Sequence, residues 1–138
     1  MMYIWIVSCL LSWFAEPAMT LNIEFTNIKK GQGKLWIAIY KPDEPFATKE
    51  KPSIYRIVEV KAAAPKTVSF DLKPGRYALA VYHDLNSNGV LDKNFVGIPK
   101  EPYGFSKNFK PKFSAPKFED CEFTFKDPGQ KISVKLSD

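Results

Sequence analysis

Side chains that carry oxygen recur at spaced positions immediately after a predicted strand. The series is Asp84, Asn86, Asn88 and Asp92, with Gly89 where the chain must turn. Calcium takes several hard oxygen ligands on a sharply turning chain, and this spacing resembles the first nine positions of a calcium-binding loop. The pattern therefore predicts a calcium site, with calcium as a cofactor. Its ligands would be Asp84, Asn86, Asn88, the backbone carbonyl of Val90, and Asp92.

The loop departs from a complete calcium-binding motif at its twelfth position, where Phe95 replaces the bidentate glutamate. A completing carboxylate would have to come from farther along the chain, from Glu101, Glu119 or Asp120. The same loop also suits a simple turn, because Asn88-Gly89 is a favoured hairpin dipeptide and short Asx side chains satisfy nearby backbone donors. Two interpretations therefore stay open, a weak calcium site and a metal-free turn.

His83 is the single histidine of the chain, so it cannot build a multi-histidine metal centre. In a regular strand it faces away from Asp84, and a locally hydrogen-bonded strand-end histidine is expected. A small hydrolase that uses His83 and Asp84 is the rival hypothesis, with Ser87 or Ser106 as the nucleophile. Neither serine lies in a nucleophile-elbow motif. We therefore expect a non-enzymatic domain with no catalytic residues.

A second candidate surface lies in the segment 94–113, where aromatic residues are interleaved with lysines. Aromatic rings with nearby cations suit sugars and anionic glycans, and Tyr103, Phe105 and Asn108 are the candidate binding residues. A glycan or another component of the cell envelope is the partner this predicts, and an exported protein is not expected to bind nucleic acid. The alternative is that the rings fold back and cap one end of the fold, in a purely structural envelope protein.

Apolar and polar residues alternate in separate short segments, which is typical of strands with one buried face. These segments begin at Leu21, Lys34, Ser53, Thr67, Arg76, Phe118 and Ile132. The segment Lys34–Tyr40 is apolar on both faces, which predicts a central strand. We therefore predict an all-β fold, a seven-stranded antiparallel sandwich of immunoglobulin-like or transthyretin-like type. One long ordered loop, 84–117, would lie over one end.

The first fifteen residues are almost wholly apolar, which favours a signal peptide at residues 1–18 and a single β-sandwich domain at 19–138. A retained anchor is the alternative. Export would place the domain in the periplasm or outside the cell, with no stable membrane span after cleavage. Cys9 would be removed, leaving Cys121 without an intrachain partner. Because Cys121 shares its parity with two phenylalanines, we expect it to be a small core residue.

The segment 82–108, "YHDLNSNGVLDKNFVGIPKEPYGFSKN", followed by "FSAPKFEDCEFTF" and "KISVKL", resembles the bacterial domain-of-unknown-function family 2141. The resemblance extends from about Leu21 to the end of the chain. It implies an exported protein with a single β-rich domain, and it makes the segment 82–108 the family's most characteristic block. The chain differs from the family pattern at Lys107, where an asparagine is usual, and at Cys121 and Glu122. The family name supplies no activity.

Overall fold

Eight strands and one short helix form the part of the chain that the computed structural model describes, residues 17–48 and 50–138. The strands are β1 (Met19–Thr26), β2 (Lys34–Tyr40), β3 (Ile54–Glu59), β4 (Lys66–Leu72), β5 (Gly75–Asp84), β6 (Tyr103–Phe105), β7 (Phe123–Phe125) and β8 (Lys131–Lys135). The helix α1 covers Phe118–Cys121, and a single 3-10 turn covers Ser106–Asn108.

The first sheet has three strands in the order β4-β1-β8. The strands β1 and β4 are antiparallel, whereas β1 and β8 run parallel. Leu21, Ile23 and Phe25 of β1 are fully buried, while the residues between them are partly exposed. This alternation turns one face of the sheet towards the core, as the period of two requires.

The second sheet has the order β3-β2-β5-β6, and β7 pairs with the first residues of β5. The predicted central position of β2 is confirmed, since β2 lies between β3 and β5. Leu35, Ile37 and Ile39 of β2 point into the core. Trp36 and Ala38 alternate with them, so these two residues belong to the opposite, outer face of the sheet.

A single apolar core joins the inner faces of the two sheets. Its buried members are Leu21, Ile23, Phe25, Ile28, Leu35, Ile37, Ile39, Val60, Val68, Phe70, Leu72, Tyr77, Leu79, Val81, Phe125, Val134 and Leu136. Burial of each large aliphatic or aromatic side chain stabilises the fold by about 1.5–3 kcal/mol relative to exposure. The core therefore provides a rigid support for the outer face and for the loop that follows β5.

The predicted all-β sandwich is confirmed, and three of its details are corrected. There are eight strands instead of seven, because the loop after β5 contributes the short strand β6. The sheets are not wholly antiparallel, since β8 returns alongside β1 in parallel. The segment 118–125, predicted as one strand, divides into α1 and β7. The Lys117 backbone N–H donates to the Asp120 carboxylate at 2.9 Å, which starts a helical turn there.

The predicted signal peptide lies almost wholly outside the described residues, which begin at Pro17. Strand β1 begins at Met19, next to the predicted boundary of the domain. Within residues 17–48 and 50–138, no helix has the length and apolar character that crossing a membrane requires.

Candidate functional site

The carboxylate of Asp84 organises the turn that follows β5. It is almost completely buried, and its two oxygens accept the backbone N–H groups of Asn88 at 3.2 Å and Gly89 at 2.8 Å. Gly89 and Ser87 both have positive φ angles, +80° and +55°. Hydrogen bonds from a short acidic side chain to backbone groups four and five positions ahead stabilise such a tight reversal. The strand therefore ends at Asp84 because this side chain folds the chain back.

The two asparagines of the loop are held between its backbone and Asp92. The Oδ1 atoms of Asn86 and Asn88 accept backbone N–H groups two positions ahead, at 3.3 and 3.1 Å. Their Nδ2 atoms both donate to the Asp92 carboxylate, at distances of 2.8–3.1 Å. The hydrogen bonds from Asn88, and next those from Asn86, hold the pKa of Asp92 below its usual value. These contacts bring together four of the five predicted calcium ligands.

Glu101 closes the loop from the other side. It is 6% exposed, and its carboxylate accepts the backbone N–H of Leu85 at 2.6 Å and that of Asp92 at 2.9 Å. The sequence had suggested Glu101 only as one of three distant carboxylates. The other two, Glu119 and Asp120, belong to the helix α1. Glu101 therefore belongs to the loop. No spacing rule selects this residue, because it lies nine positions beyond Asp92.

The phenol of Tyr82 is partly buried and is influenced by the charges of Asp84, Asp92 and Glu101. Burial is the main cause that raises the pKa of Tyr82 to about 12, and the three negative charges add to the shift. The ion pairs found in residues 17–48 and 50–138 involve other side chains: Lys29 with Asp138, Lys131 with Glu24, and Arg76 with Glu122. Lys93 and Lys100 line the same cavity as Asp92 and Glu101, so the loop carries charges of both signs beside the second sheet.

A metal ion in this loop would have to bind amide and carbonyl oxygens as well as carboxylates. Among the described residues, no three acidic, histidine or cysteine side chains lie close enough to hold one ion together. The predicted set contains only Asp84 and Asp92 as charged ligands, so Asn86, Asn88 and the Val90 carbonyl would have to complete it. An open cavity beside these groups is lined by Leu85, Asn86, Asp92, Lys93, Lys100 and Glu101.

His83 lies on the opposite face of β5 from Asp84, as the alternation predicted. It is 1% exposed, its Nε2 lies 2.6 Å from the carbonyl of Gln32, and its backbone N–H donates to the Pro102 carbonyl. The expected strand-end histidine with a local hydrogen bond is confirmed. Because His83 and Asp84 point away from each other, they do not form the pair that the hydrolase hypothesis requires.

Ser106 and Cys121 form a buried contact behind the second sheet. The Ser106 hydroxyl donates to the Cys121 carbonyl at 2.5 Å and accepts the backbone N–H of Leu79 at 2.9 Å. Cys121 is fully buried, which confirms its predicted place in the interior. Burial, and next the charge of Asp120, raise the pKa of its thiol to about 11. Both side chains support the fold at this position.

A row of four side chains, three of them aromatic, crosses the outer face of the second sheet. Each of four neighbouring strands contributes one of them. Trp36 of β2 pairs with Ile57 of β3 on one side and with Tyr82 of β5 on the other, and Tyr82 pairs with Tyr103 of β6. The rings of Trp36 and Tyr82 stack with centroids 5.9 Å apart and planes 13° from parallel. Cross-strand aromatic pairs of this kind stabilise a sheet and form a continuous surface.

The adjacent row contains two small residues in its centre. Ala38 pairs with Tyr55 of β3 and with Ala80 of β5, and Ala80 pairs with Phe105 of β6. Both alanines are partly exposed. Neighbouring strands lie about 4.8 Å apart, so Tyr55 and Phe105 stand about 14 Å from each other. Because alanine side chains are short, this second row is lowest at Ala38 and Ala80, which also pack against the apolar cluster described below. We call the two rows together the aromatic face, and the low centre its depression.

Lys51 and the loop after β5 border this aromatic face. The Lys51 ammonium lies 5.4 Å from the Trp36 ring centroid and 5.2 Å from that of Tyr55. A Cβ on Gly89 would lie 3.8 Å from Cζ2 of Trp36, so the loop reaches the edge of the indole. Nε1 of Trp36 is the one buried side-chain nitrogen or oxygen in the described part of the chain that has no hydrogen-bond partner. The face therefore retains an unused donor at its boundary with the loop.

A second apolar cluster covers the far end of the same sheet. Tyr40, Ala78, Phe118 and Cys121 are its buried members, with Ala38, Phe46, Ala80, Phe105 and Phe109 packed against them. Phe46 makes ring contacts with Tyr40, Phe105 and Phe118. The loop aromatics thus divide between two roles: Phe105 and Phe109 pack against the cluster, whereas Tyr103 extends the aromatic row.

The three predicted binding residues occupy different environments. Tyr103 and Phe105 lie on the aromatic face, with their ring centroids 6.0 Å apart. Asn108, which has a positive φ of 51°, accepts the backbone N–H of Lys135 at 2.9 Å and so joins the loop to β8. Sequence reasoning did not select Trp36 and Tyr82, because β2 is apolar on both faces and its pattern does not indicate which face is the outer one.

The comparisons with known proteins identify one family. A family model described as an uncharacterised protein conserved in bacteria, DUF2141, matches residues 23–133. No curated protein and no solved structure matches the chain. The matched range contains the whole second sheet with the loop after β5 and the aromatic face, and, of the first sheet, β4 and parts of β1 and β8.

Proposed function

The chain belongs to DUF2141, a family of uncharacterised proteins conserved in bacteria, and on that premise we propose that it is a non-enzymatic binding module of the cell envelope. Its ligand is a saccharide, which binds in the depression of the aromatic face. The observation that carries the proposal is the cross-strand row of Ile57, Trp36, Tyr82 and Tyr103 beside the low centre at Ala38 and Ala80.

A sugar ring fits the chemistry of this depression. Its C–H faces are apolar and its edge is a ring of hydroxyl groups, so it binds best where aromatic surface and polar atoms lie side by side. The rings of Trp36 and Tyr82 supply the aromatic surface. Tyr82 and Tyr103 also supply phenolic hydroxyl groups, which can both donate and accept hydrogen bonds.

Lys51 favours an acidic saccharide over a neutral one. Its ammonium lies above the Trp36 and Tyr55 rings, at the open side of the depression. A carboxylate or phosphate substituent on the sugar would accept hydrogen bonds from this ammonium, at the cost of its contact with the rings. Cation–π contacts at exposed sites are worth only about 0.5–1 kcal/mol, so the exchange is favourable for an anionic ligand.

Export and calcium complete the proposal. The apolar segment at residues 1–15 would direct the chain to the periplasm or the exterior, where saccharide polymers are abundant and calcium is plentiful. The loop of Asp84, Asn86, Asn88, Val90 and Asp92 would then bind calcium weakly and hold the edge of the aromatic face. Support comes from the hydrogen bonds that gather Asp84, Asn88 and Asp92 at one turn.

Binding to a glycan array at low and at high salt tests this function. We expect the wild-type protein to bind a subset of acidic saccharides, and Trp36→Ala and Tyr103→Ala to weaken that binding at both salt concentrations. Phe113→Ala is the matched control, because Phe113 is fully exposed and lies outside the aromatic face. Binding that disappears in high salt and is indifferent to Trp36 and Tyr103 would indicate only general attraction to polyanions.

A further inference from the structure

A small hairpin projects from the loop that follows the Asp84 turn. Lys93 and Pro99 form an antiparallel bridge, and the Asn94 backbone N–H donates to the Ile98 carbonyl at 2.9 Å. The Asn94 side-chain oxygen accepts two further backbone N–H groups, from Val96 and Ile98, each at 3.0 Å. A Cβ on Gly97 would find no atom within 4 Å, so the end of the hairpin points into open space.

The tip of this hairpin is apolar and exposed. Phe95 is fully exposed, and Val96 and Ile98 are 62% and 60% exposed. Among the described residues seven large apolar side chains are exposed, and four of them are Val90 and these three. Scattered single residues of this kind need no explanation, but a cluster on a projecting, internally hydrogen-bonded tip marks a contact with another apolar phase.

Two lysines stand at the base of the tip, one on each arm. Lys93 and Lys100 are both exposed, and the segment between them contains no aspartate or glutamate. The nearest acids, Asp92 and Glu101, are directed back into the loop by their own hydrogen bonds. The hairpin therefore carries apolar side chains at its end and positive charge directly beneath them.

We propose that the hairpin 93–100 is a membrane-docking tip that inserts Phe95, Val96 and Ile98 into the surface of an anionic lipid bilayer. Apolar side chains enter the boundary between headgroups and acyl chains to a depth of about 5–10 Å, and lysines above them contact anionic headgroups. The tip projects into open space, and no acidic residue lies between its two lysines, so charge complementarity favours an anionic lipid surface. This role is independent of saccharide binding, because the aromatic face uses other residues.

Sedimentation with lipid vesicles tests the proposal on the full-length chain. Vesicles of phosphatidylcholine alone are compared with vesicles of equal parts phosphatidylcholine and phosphatidylglycerol. We expect Phe95→Ser to weaken binding to the mixed vesicles by about tenfold or more, since it removes a large apolar group from the interface. Phe113→Ser is the matched control, because that ring is equally exposed. The apolar first fifteen residues are common to all variants, so differences between variants report the hairpin.

A charge variant separates the contribution of the lysines. Lys93→Gln combined with Lys100→Gln should weaken binding to the mixed vesicles by about 25-fold, or about fivefold per lysine, and leave binding to neutral vesicles unchanged. Equal binding by Phe95→Ser and Phe113→Ser would overturn the proposal. So would self-association of the wild-type chain without lipid that Phe95→Ser abolishes, since the tip would then contact a second copy.

A position-specific probe gives a second, independent measurement. Phe95→Trp is introduced together with Trp5→Phe, Trp13→Phe and Trp36→Phe, so that the tip carries the only tryptophan. Quenching of its fluorescence by brominated lipids in the mixed vesicles supports insertion. Emission that the brominated lipids leave unchanged, although the protein sediments with the vesicles, would show that another part of the chain makes the contact.

Discussion

The carboxylate of Glu101 accepts the backbone N–H of Asp92 at 2.9 Å. Its second oxygen accepts the backbone N–H of Leu85 at 2.6 Å, so one buried side chain joins the beginning and the end of the turn. At Gly89, this turn lies next to the ring of Trp36. Glu101 therefore acts on the aromatic face indirectly, by fixing the loop that borders it.

Glu101→Gln is expected to lower the free energy of unfolding by about 1–3 kcal/mol. The substitution removes a negative charge and turns an amide donor towards one of two backbone N–H groups, which leaves a buried donor without an acceptor. Urea unfolding followed by circular dichroism measures the change. Glu119→Gln, at an exposed position on α1, is the control and should stay within about 0.5 kcal/mol of wild type. Equal stability of the two variants would remove Glu101 from this structural role.

Gly33→Ala should destabilise the protein more than Gly129→Ala, although both glycines have nearly the same positive φ, +72° and +73°. A Cβ at Gly33 would lie 2.1 Å from the Asp84 carbonyl oxygen, whereas one at Gly129 meets nothing within 4 Å. We expect a loss of about 1–2 kcal/mol at Gly129 from the left-handed backbone, and about 2–5 kcal/mol at Gly33, where the clash adds to it. Thermal and urea unfolding measure both. Similar losses would mean that the close approach at Asp84 does not exist.

The phenol of Tyr82 should ionise at about pH 12, compared with 10.0 for an unperturbed tyrosine. Because the folded-state pKa is raised, the folded protein holds this proton more tightly than the unfolded chain. The resulting stabilisation is fully present below about pH 10 and is lost as the pH rises from about 10 to 12. Ultraviolet titration of wild type against Tyr82→Phe isolates this group. Asp92→Asn should lower the pKa of Tyr82 by removing a nearby charge, and Asp43→Asn, in a different loop, should not.

Calcium should raise the stability of the wild-type protein by about 1.4 kcal/mol when its concentration is tenfold above Kd. Melting curves in millimolar calcium, in magnesium and in chelator measure the effect. Asp84→Ala should abolish the calcium-specific rise, and the exposed Asp43→Ala should retain it. Identical wild-type curves in calcium and in chelator, with Asp84→Ala simply less stable, would show that the loop is a metal-free turn.

Alternation of side chains predicted most of the fold because it reports a local property, the burial of one face. It placed His83 and Asp84 on opposite faces, whereas the apolar character of both faces of β2 placed that strand at the centre of a sheet. The structure agrees with both. The strand β6 was not predicted, since it has only three residues and depends on its pairing with β5. The parallel arrangement of β8 beside β1 is likewise a property of the whole chain that no local pattern reveals.

The candidate site could be predicted only in part for the same reason. The spacing of Asp84, Asn86 and Asn88 is local, and it correctly indicated side chains gathered at one turn. The aromatic face combines residues from four strands, and their register becomes known only when the sheet is assembled. Tyr103 could be selected because it lies in the segment 94–113, where aromatic residues are interleaved with lysines. Trp36 lies in the segment 34–40, whose pattern predicts only a central strand.

Fluorescence of Trp36 tests the central claim, saccharide binding at the aromatic face, most directly. With Trp5→Phe and Trp13→Phe, Trp36 is the only tryptophan of the chain. Titration with an acidic oligosaccharide selected on the array should produce a saturable change in its emission, and Tyr103→Ala should weaken the apparent affinity by about tenfold, the loss of one aromatic contact. Phe113→Ala should leave the affinity unchanged. The account is contradicted if saccharides that the folded protein binds leave the emission of Trp36 unaltered, or if Tyr103→Ala and Phe113→Ala bind equally well.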